Sequence, residues 1–456
     1  MSHSPPLIPS TQPTLNSRSM LYLLLALALV RGVMYATLVP PWQAPDEPAQ
    51  FERAKAALDA EEWQATSVNG PAWYNDLIES LFIFSAWDFI DVERPTAPGG
   101  LLNQYIVPYN EAYQGQYSGR FPYMLIGWPL MVAADQPLLT QLYLLRLNTV
   151  LMNVGIIFFA YLITQTIFPG HPFLTWGVPL LILFNPQHTH LLATVNNGNL
   201  AELLATATLY FLVRGLRQGF SFLTVSVLGL LTILAMWTKA TAYFLPFAIG
   251  SVGLVYGWRY RRHWFWLLPV GAITAAVVYF LAPARLRTLL AWSWERFNNA
   301  EFYLDPLVPA DLFRSFWALP GWFVLVLHPF WYWLWGVVCI VALVGWVGLG
   351  LKHYRALCEG KYAGQARALL ALLTAAVVAI SVPLIYSTLF GDLTYRQGRS
   401  IYPVIVPIYL FILLGWTGLI PPRWRGEALV AITAGLFLFD ALVLFHYIVP
   451  FFYSRL

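Results

Sequence analysis

Runs of about 20 apolar residues recur from one end of this chain to the other, and no other feature constrains its fold as strongly. A helix needs about that length to cross the hydrocarbon core of a bilayer. Eleven such runs can be drawn in the 456 residues, at about 20–39, 146–168, 173–191, 197–214, 221–237, 240–257, 264–282, 330–351, 368–390, 401–420 and 427–448. Composition agrees: 59% of residues are hydrophobic and 11% charged, where a soluble domain carries about a quarter charged. A membrane β-barrel would alternate polar and apolar residues over segments of about ten, a pattern not seen here. The expectation is an all-α polytopic membrane protein of about eleven transmembrane helices, with a tail at 1–19 and a single membrane domain over 20–456.

Charge sets the expected orientation. Arg18 precedes the first apolar run, which is long for a signal peptide and is followed by no clear small-residue cleavage site, so an uncleaved signal anchor with a cytoplasmic N-terminus is expected. Short cytoplasmic connections are enriched in Lys and Arg. The connections at 214–220, 258–263, 352–367 and 421–427 carry such residues, and these are the loops that eleven spans place inside. The C-terminus then lies outside. Of the 22 acidic residues, twelve lie between Asp46 and Glu111, on the opposite side. The net charge of +4 is an average over two unlike faces and implies no nucleic-acid partner. Cys339 and Cys358 fall in a span and a cytoplasmic loop, which excludes a disulfide framework.

Two extracytoplasmic segments are long, 42–145 and 283–329. The first opens with a helix expected over Glu47 to Trp63, in which Phe51, Ala54 and Leu58 recur at the spacing of a helix lying on the membrane surface. The stretch 121–134 is apolar but only about 14 residues long and contains Pro129, so it is expected to be interfacial or re-entrant. The second segment carries Trp292, Trp294, Phe297, Phe302, Tyr303, Phe316, Trp317 and Trp322 among Arg296, Asp305 and Arg314. Such aromatics either anchor a protein at the interface or line a groove for an amphiphile.

Several residues suit chemistry at the outer face. Asp46 and Glu47 follow the first span, where a carboxylate can take a proton from an acceptor hydroxyl and its neighbour can hold the acceptor or a divalent cation such as Mg or Mn. The same residues suit a helix start, with Pro48 in the first turn. Arg396 and Arg399, three apart beside Gly398, suit a phosphate or diphosphate and equally a lipid headgroup. Lys239, in a short outer turn, either snorkels or pairs with an anion. His188 and His190 precede Asn196 and Asn197 but lack the third ligand that a zinc site needs. Arg31, Glu202 and Asp440 fall inside spans, where ionisable groups usually face partners in the bundle. No hydrolase, zinc-protease, Walker or dinucleotide fingerprint is present.

The run PPWQAPDEPAQF from Pro40 to Phe51 resembles the PPDEPAHF signature of the bacterial membrane proteins grouped as domain of unknown function 2142, which are placed with the GT-C glycosyltransferases. Arg146-Leu147, Asn196-Asn197, Lys239 with Pro246, SFWALPGW from Ser315 and QGRSIYP from Gln397 follow in the family's order. The resemblance implies a GT-C-like fold in a bacterial plasma membrane, with juxtamembrane helices in the large first loop. It implies a polyprenyl-phosphate-linked sugar as donor, an acceptor in the cell envelope and inversion at the sugar. By position, Asp46 would be the catalytic carboxylate with Glu47 assisting, and Arg396, Arg399 and Lys239 would contact the donor phosphate. Gln50, Arg53, Asn196, Asn197, Trp317, Trp322 and Tyr402 would line the substrate site. The chain departs from the family pattern at Gln50, where His is usual, and at Asn199, near which an Asp often appears. A transporter or flippase of a lipid-linked molecule, and a non-catalytic lipid-binding subunit, are the alternative readings.

Overall fold

The computed structural model describes residues 17–58, 73–89, 120–259, 307–358, 363–390 and 396–454, with isolated positions at 291 and 295. Every regular element among the described residues is helical. The first span is α1 (Ser17–Leu38), and the first long segment supplies α2 (Glu47–Leu58), α3 (Trp73–Ile83) and α4 (Arg120–Gly127). Then come α5 (Leu138–Ile167), α6 (Pro172–Leu183), α7 (Pro186–Leu192), α8 (Asn197–Gln218), α9 (Phe222–Thr238) and α10 (Leu245–Arg259). The C-terminal part contains α11 (Leu307–Trp317), α12 (Pro329–Cys358), α13 (Ala363–Phe390), α14 (Ile405–Leu419), α15 (Arg425–Leu442) and α16 (Val449–Tyr453). Six stretches among the described residues are long and apolar enough to cross a membrane, at Arg18–Leu38, Leu138–Ile167, Pro329–His353, Ala363–Ile385, Gly398–Leu419 and Pro422–Tyr453. The helices at Pro172–Leu183, Phe222–Thr238 and Ala240–Gly253 are apolar but shorter.

The span expected at 264–282 lies outside the described residues, as do Trp292, Trp294, Arg296, Phe297, Phe302, Tyr303 and Asp305. The other expected spans coincide with helices, but several are interrupted. The third divides into α6 and α7, because Pro186 has no N–H to continue the ladder, and Asn185 restarts it by accepting from the His188 N–H at 2.9 Å. The tenth opens as a 3-10 turn over Gly398–Val404 before α14. The last passes through a π-helical turn at Val443–Ile448 and runs on to Tyr453. Helix α5 begins at Leu138, before the expected 146, and its 30 residues extend for about 45 Å. The stretch 121–134 forms the eight-residue α4 and a 3-10 turn at Trp128–Met131. At about 12 Å, α4 is too short to cross; it packs on α2 and leaves Phe121 and Met124 exposed, as the 3-10 turn leaves Trp128.

One closed polar joint ties the first loop to the bundle. Arg146 of α5 is fully buried. Its Nε donates to Glu47 Oε1 at 2.8 Å and its Nη2 to Glu47 Oε2 at 2.6 Å. The same guanidinium donates to the carbonyls of Ala36, Val39 and Pro40, at 2.8, 2.7 and 3.0 Å. All five N–H groups of the guanidinium are thereby used, and three of them satisfy carbonyls freed where α1 ends. Glu47 is likewise full: beyond Arg146, Oε1 accepts from the Val195 N–H at 3.1 Å and Oε2 from the Trp42 N–H at 3.0 Å.

A second buried pair joins the ends of the chain. Arg31 of α1 meets the Asp440 carboxylate of α15, with Nε to Oδ2 at 2.6 Å, and Tyr35 donates to Asp440 Oδ1 at 2.7 Å. Arg31 also donates to Thr189 Oγ1 and to the Leu183 carbonyl, so it closes the break between α6 and α7. Elsewhere small residues set helix spacing. A methyl group added to Gly415 of α14 would overlap the Ala342 carbonyl of α12, and one on Gly345 would overlap the Gly415 carbonyl. Such close backbone approach is what glycines permit between membrane helices.

The connections sort to two ends. At one, Arg217 donates to the Thr166 carbonyl, Gln365 to the Ile167 carbonyl, and Arg425 lies 3.1 Å from His171. Three of the basic connections expected on one side of the membrane, at 214–220, 352–367 and 421–427, thus reach that end, while 260–263 lie outside the described residues. At the other end the segments after α1, α7, α9 and α11 meet the turn before α14. Removing either partner of a buried ion pair strands a charge, at a cost of about 3–5 kcal/mol. Arg146→Leu is expected to lower the melting temperature of the detergent-solubilised protein by that equivalent. An unchanged melting temperature would show that the joint is dispensable.

Candidate functional site

Asp46 and Glu47 are neighbours in sequence but face opposite ways. Asp46 has φ of 65°, a left-handed conformation that Asp tolerates better than most side chains. This places Glu47 in the sealed joint with Arg146, while the partly exposed Asp46 carboxylate receives Arg399 Nη2 at 2.8 Å. Trp42 (φ 70°) and Phe323 (φ 63°) are strained in the same sense nearby, and the Phe323 ring lies 5.5 Å from the Arg399 guanidinium carbon.

Beside this ion pair a narrow cleft is lined by Asn196, Asn199, Glu202, Lys239, Arg399 and Tyr402. Its free volume is about 20 Å³, about that of one water molecule, so in this state the cleft is closed around its own side chains. Asn196 caps α8 by accepting from the Gly198 N–H at 2.7 Å, and the same oxygen accepts from Lys239 Nζ at 3.3 Å. Burial, reinforced by the nearby Arg399 and Arg53 and opposed by Asp46, draws the Lys239 ammonium down from its usual 10.5 to about 7. Arg399 and Lys239 thus lie together beside the partly exposed Asp46 carboxylate, an arrangement suited to an anion.

The turn carrying Arg399 is set by Gly398. Its N–H donates to Ser315 Oγ at 2.7 Å, and a methyl group there would overlap the backbone of Phe316. The SFW and QGR segments are thus one interlocked unit. Tyr402 is fixed by donating to the Phe316 carbonyl at 3.0 Å, leaving its ring on the cleft wall.

The residues expected at a substrate site divide. Asp46, Arg399, Lys239, Asn196 and Tyr402 come together. Gln50 lies close by, its oxygen accepting from Tyr123 Oη at 3.0 Å and from the Asn197 N–H at 3.2 Å, while Arg53 donates to the same Tyr123 hydroxyl at 3.3 Å. Arg396 diverges from Arg399 and lies 3.5 Å from Asp311. Glu47 is sealed away from any ligand. Trp317 is buried in the core, stacked on Trp335 at 3.9 Å, and Trp322 uses its indole N–H on the Trp42 carbonyl at 3.1 Å.

His188 and His190 take separate partners. His188 Nε2 lies 2.6 Å from Glu202 Oε1, and His190 Nε2 accepts from the Gly321 N–H at 3.1 Å. No group of three His, Cys, Asp or Glu side chains converges among the described residues, so no divalent-cation cage is formed there. Glu202 and Asn199 enter the cleft without having been singled out as site residues. The signal for Glu202 was an acid inside a span, six residues beyond the Asn196 cap.

The features define a polytopic helical membrane protein with a cleft that brings Lys239, Arg399 and Glu202 together beside Asp46 at one end of its bundle. By sequence the chain belongs to the family described as predicted membrane protein (DUF2142), which matches residues 29–408 and so includes every residue of the cleft. No curated protein and no solved structure matches it.

Two measurements address the site. Lys239 is a cation below pH 7 and loses its charge as pH rises through about 7. Binding of a soluble phosphodiester, whose own charge is constant over this range, is therefore expected to weaken from pH 6 to pH 8, by at most about tenfold per unit. Lys239→Gln is expected to flatten that profile, and a flat wild-type profile would remove Lys239 from the anion site. Gly398→Ala is expected to cost about 1–3 kcal/mol by overpacking, read as a lowered melting temperature.

Proposed function

We propose that the protein is a membrane glycosyltransferase of GT-C type that moves a sugar from a polyprenyl-phosphate-linked donor to a cell-envelope acceptor. In this reading the cleft opens to the extracytoplasmic face of a bacterial plasma membrane, with the N-terminus cytoplasmic and the C-terminus outside. The observation that carries it is the 2.8 Å pairing of Asp46 with Arg399 at a cleft that also holds Lys239. A carboxylate for proton abstraction and two cations for a phosphate are the groups that glycosyl transfer from a phosphate donor needs.

The donor phosphate exchanges with Asp46 on Arg399 and takes a further contact from Lys239. Asp46, released, accepts the proton of the acceptor hydroxyl as that oxygen bonds to the anomeric carbon. The bond from the anomeric carbon to the phosphate oxygen breaks, and the electron pair leaves with the polyprenyl phosphate, held by the two cations. Attack on the face opposite the leaving group inverts the centre. No metal is required by this scheme, although a divalent cation would supply the same neutralisation of the leaving group. Gln50 cannot accept a proton, and its amide instead orders Tyr123 and the start of α8.

A transporter reading receives less support. It needs the ionisable groups of the spans to share one pathway, whereas Arg31 and Asp440 are closed on each other and do not line the cleft that holds Glu202. The test is transfer of radiolabelled sugar from a polyprenyl-phosphate donor by the purified full-length protein. Asp46→Asn is expected to lower turnover by about 10²–10⁴-fold while binding the donor at least as well as wild type, because Arg399 is no longer neutralised. Equal turnover in both proteins would overturn the role of Asp46. Donor binding without turnover in wild type would favour a non-catalytic lipid-binding subunit.

A further inference from the structure

The cleft contains a second carboxylate that the transfer scheme leaves unused. Glu202 sits on α8 below the Asn196 cap, is 2% exposed, and lines the same cleft as Lys239 and Arg399. One of its oxygens is held by His188 at 2.6 Å. The backbone of His188 is itself fixed. Its backbone N–H is held by Asn185, whose amide donates to Tyr409 Oη at 2.7 Å and to the Phe316 carbonyl at 3.1 Å. The edge of the Tyr402 ring system meets His188 at a centroid distance of 5.2 Å. A buried acid oriented this carefully, inside a membrane bundle, marks a binding site more often than a packing feature.

The two parts of the cleft differ in what they offer. Lys239 and Arg399 present only donors, which suit phosphate oxygens. Glu202 presents an acceptor beside the ring of Tyr402, and sugar hydroxyls are donors mounted on a ring whose C–H face packs against aromatics.

We propose that Glu202, oriented by His188, is the specificity-determining residue that accepts hydrogen bonds from hydroxyl groups of the transferred sugar. The proposal rests on the glycosyltransferase reading and assigns the sugar to the inner part of the cleft, with its phosphate at the cationic mouth. Entry of such a ligand parts Asp46 from Arg399 and widens the cleft. The ligand chemistry is that of a hydroxylated phosphate ester, which a soluble sugar phosphate shares with a lipid-linked one.

The experiment compares affinities of the full-length protein in nanodiscs for inorganic phosphate, for hexose 1-phosphate and for a short-chain isoprenyl-phosphate hexose. Wild type is expected to bind both sugar phosphates more tightly than phosphate. Glu202→Gln, which keeps a hydrogen bond to His188, is expected to lose about tenfold or more toward both sugar ligands and to keep its affinity for inorganic phosphate. That retained affinity reports an intact fold and an intact cationic mouth. Equal losses toward all three ligands, or none toward the sugars, would overturn the role of Glu202 while leaving the anion site standing. Failure of wild type to bind any of them would overturn the glycosyltransferase reading and this inference together. Tighter binding of the isoprenyl ligand than of hexose 1-phosphate identifies the lipid-linked source, and equal affinities identify the soluble one; the Glu202→Gln loss supports the proposal in either case.

Discussion

The buried pair of Arg146 with Glu47 is the interaction on which the site depends. It does three things at once. It satisfies the carbonyls where α1 ends, it fastens the start of α2 to α5, and through the Val195 N–H it reaches the segment that leads into α8. Asp46 is carried by the residue next to this joint, so the position of the exposed carboxylate follows from a fully satisfied buried one. A single guanidinium with no donor to spare makes a rigid mount. The cations then come to Asp46 from two other parts of the chain, Lys239 at the end of α9 and Arg399 in the turn before α14.

The six long apolar stretches were legible in the sequence because apolar length is a local property, written in consecutive residues. The interruptions were less so. Pro186 and Pro403 mark where ladders break, but the decision to restart a helix rests on remote partners such as Arg31 holding Thr189 across the gap. The helical content beyond the six long stretches includes α8, whose Asn, Glu and Thr residues reduce its apolar character because one side of it faces the cleft and α5.

The site was legible in part, for reasons that differ residue by residue. Asp46 follows from its place after the first span. Glu47 shares that place, and only the left-handed backbone at Asp46 separates an accessible acid from a sealed one; no spacing rule encodes that. Arg396 and Arg399 would share a face on an α-helix, but Arg396 precedes the 3-10 turn that begins at Gly398, so the helical spacing does not apply and the two diverge. Trp317 and Trp322 illustrate the ambiguity of aromatics near an interface: one is core, the other a strut to the Trp42 carbonyl. Glu202 and His188 are 14 positions apart, across a helix break, and become partners only once α7 and α8 have folded against each other.

The pairing of Arg31 with Asp440 also bears on how the protein is made. The partners are 409 positions apart, so at about 5–20 residues per second the first helix exists for about 20–80 seconds before the acid that neutralises its cation has been synthesised. A charge at the centre of a bilayer helix costs about 2.5–3.5 kcal/mol on insertion scales. The nascent first helix is thus left incomplete until the last arrives, and the bundle is sealed from the inside by its final segment. A chain truncated before α15 would keep every residue of the cleft and still lack the counter-charge that lets its first helix settle among the others.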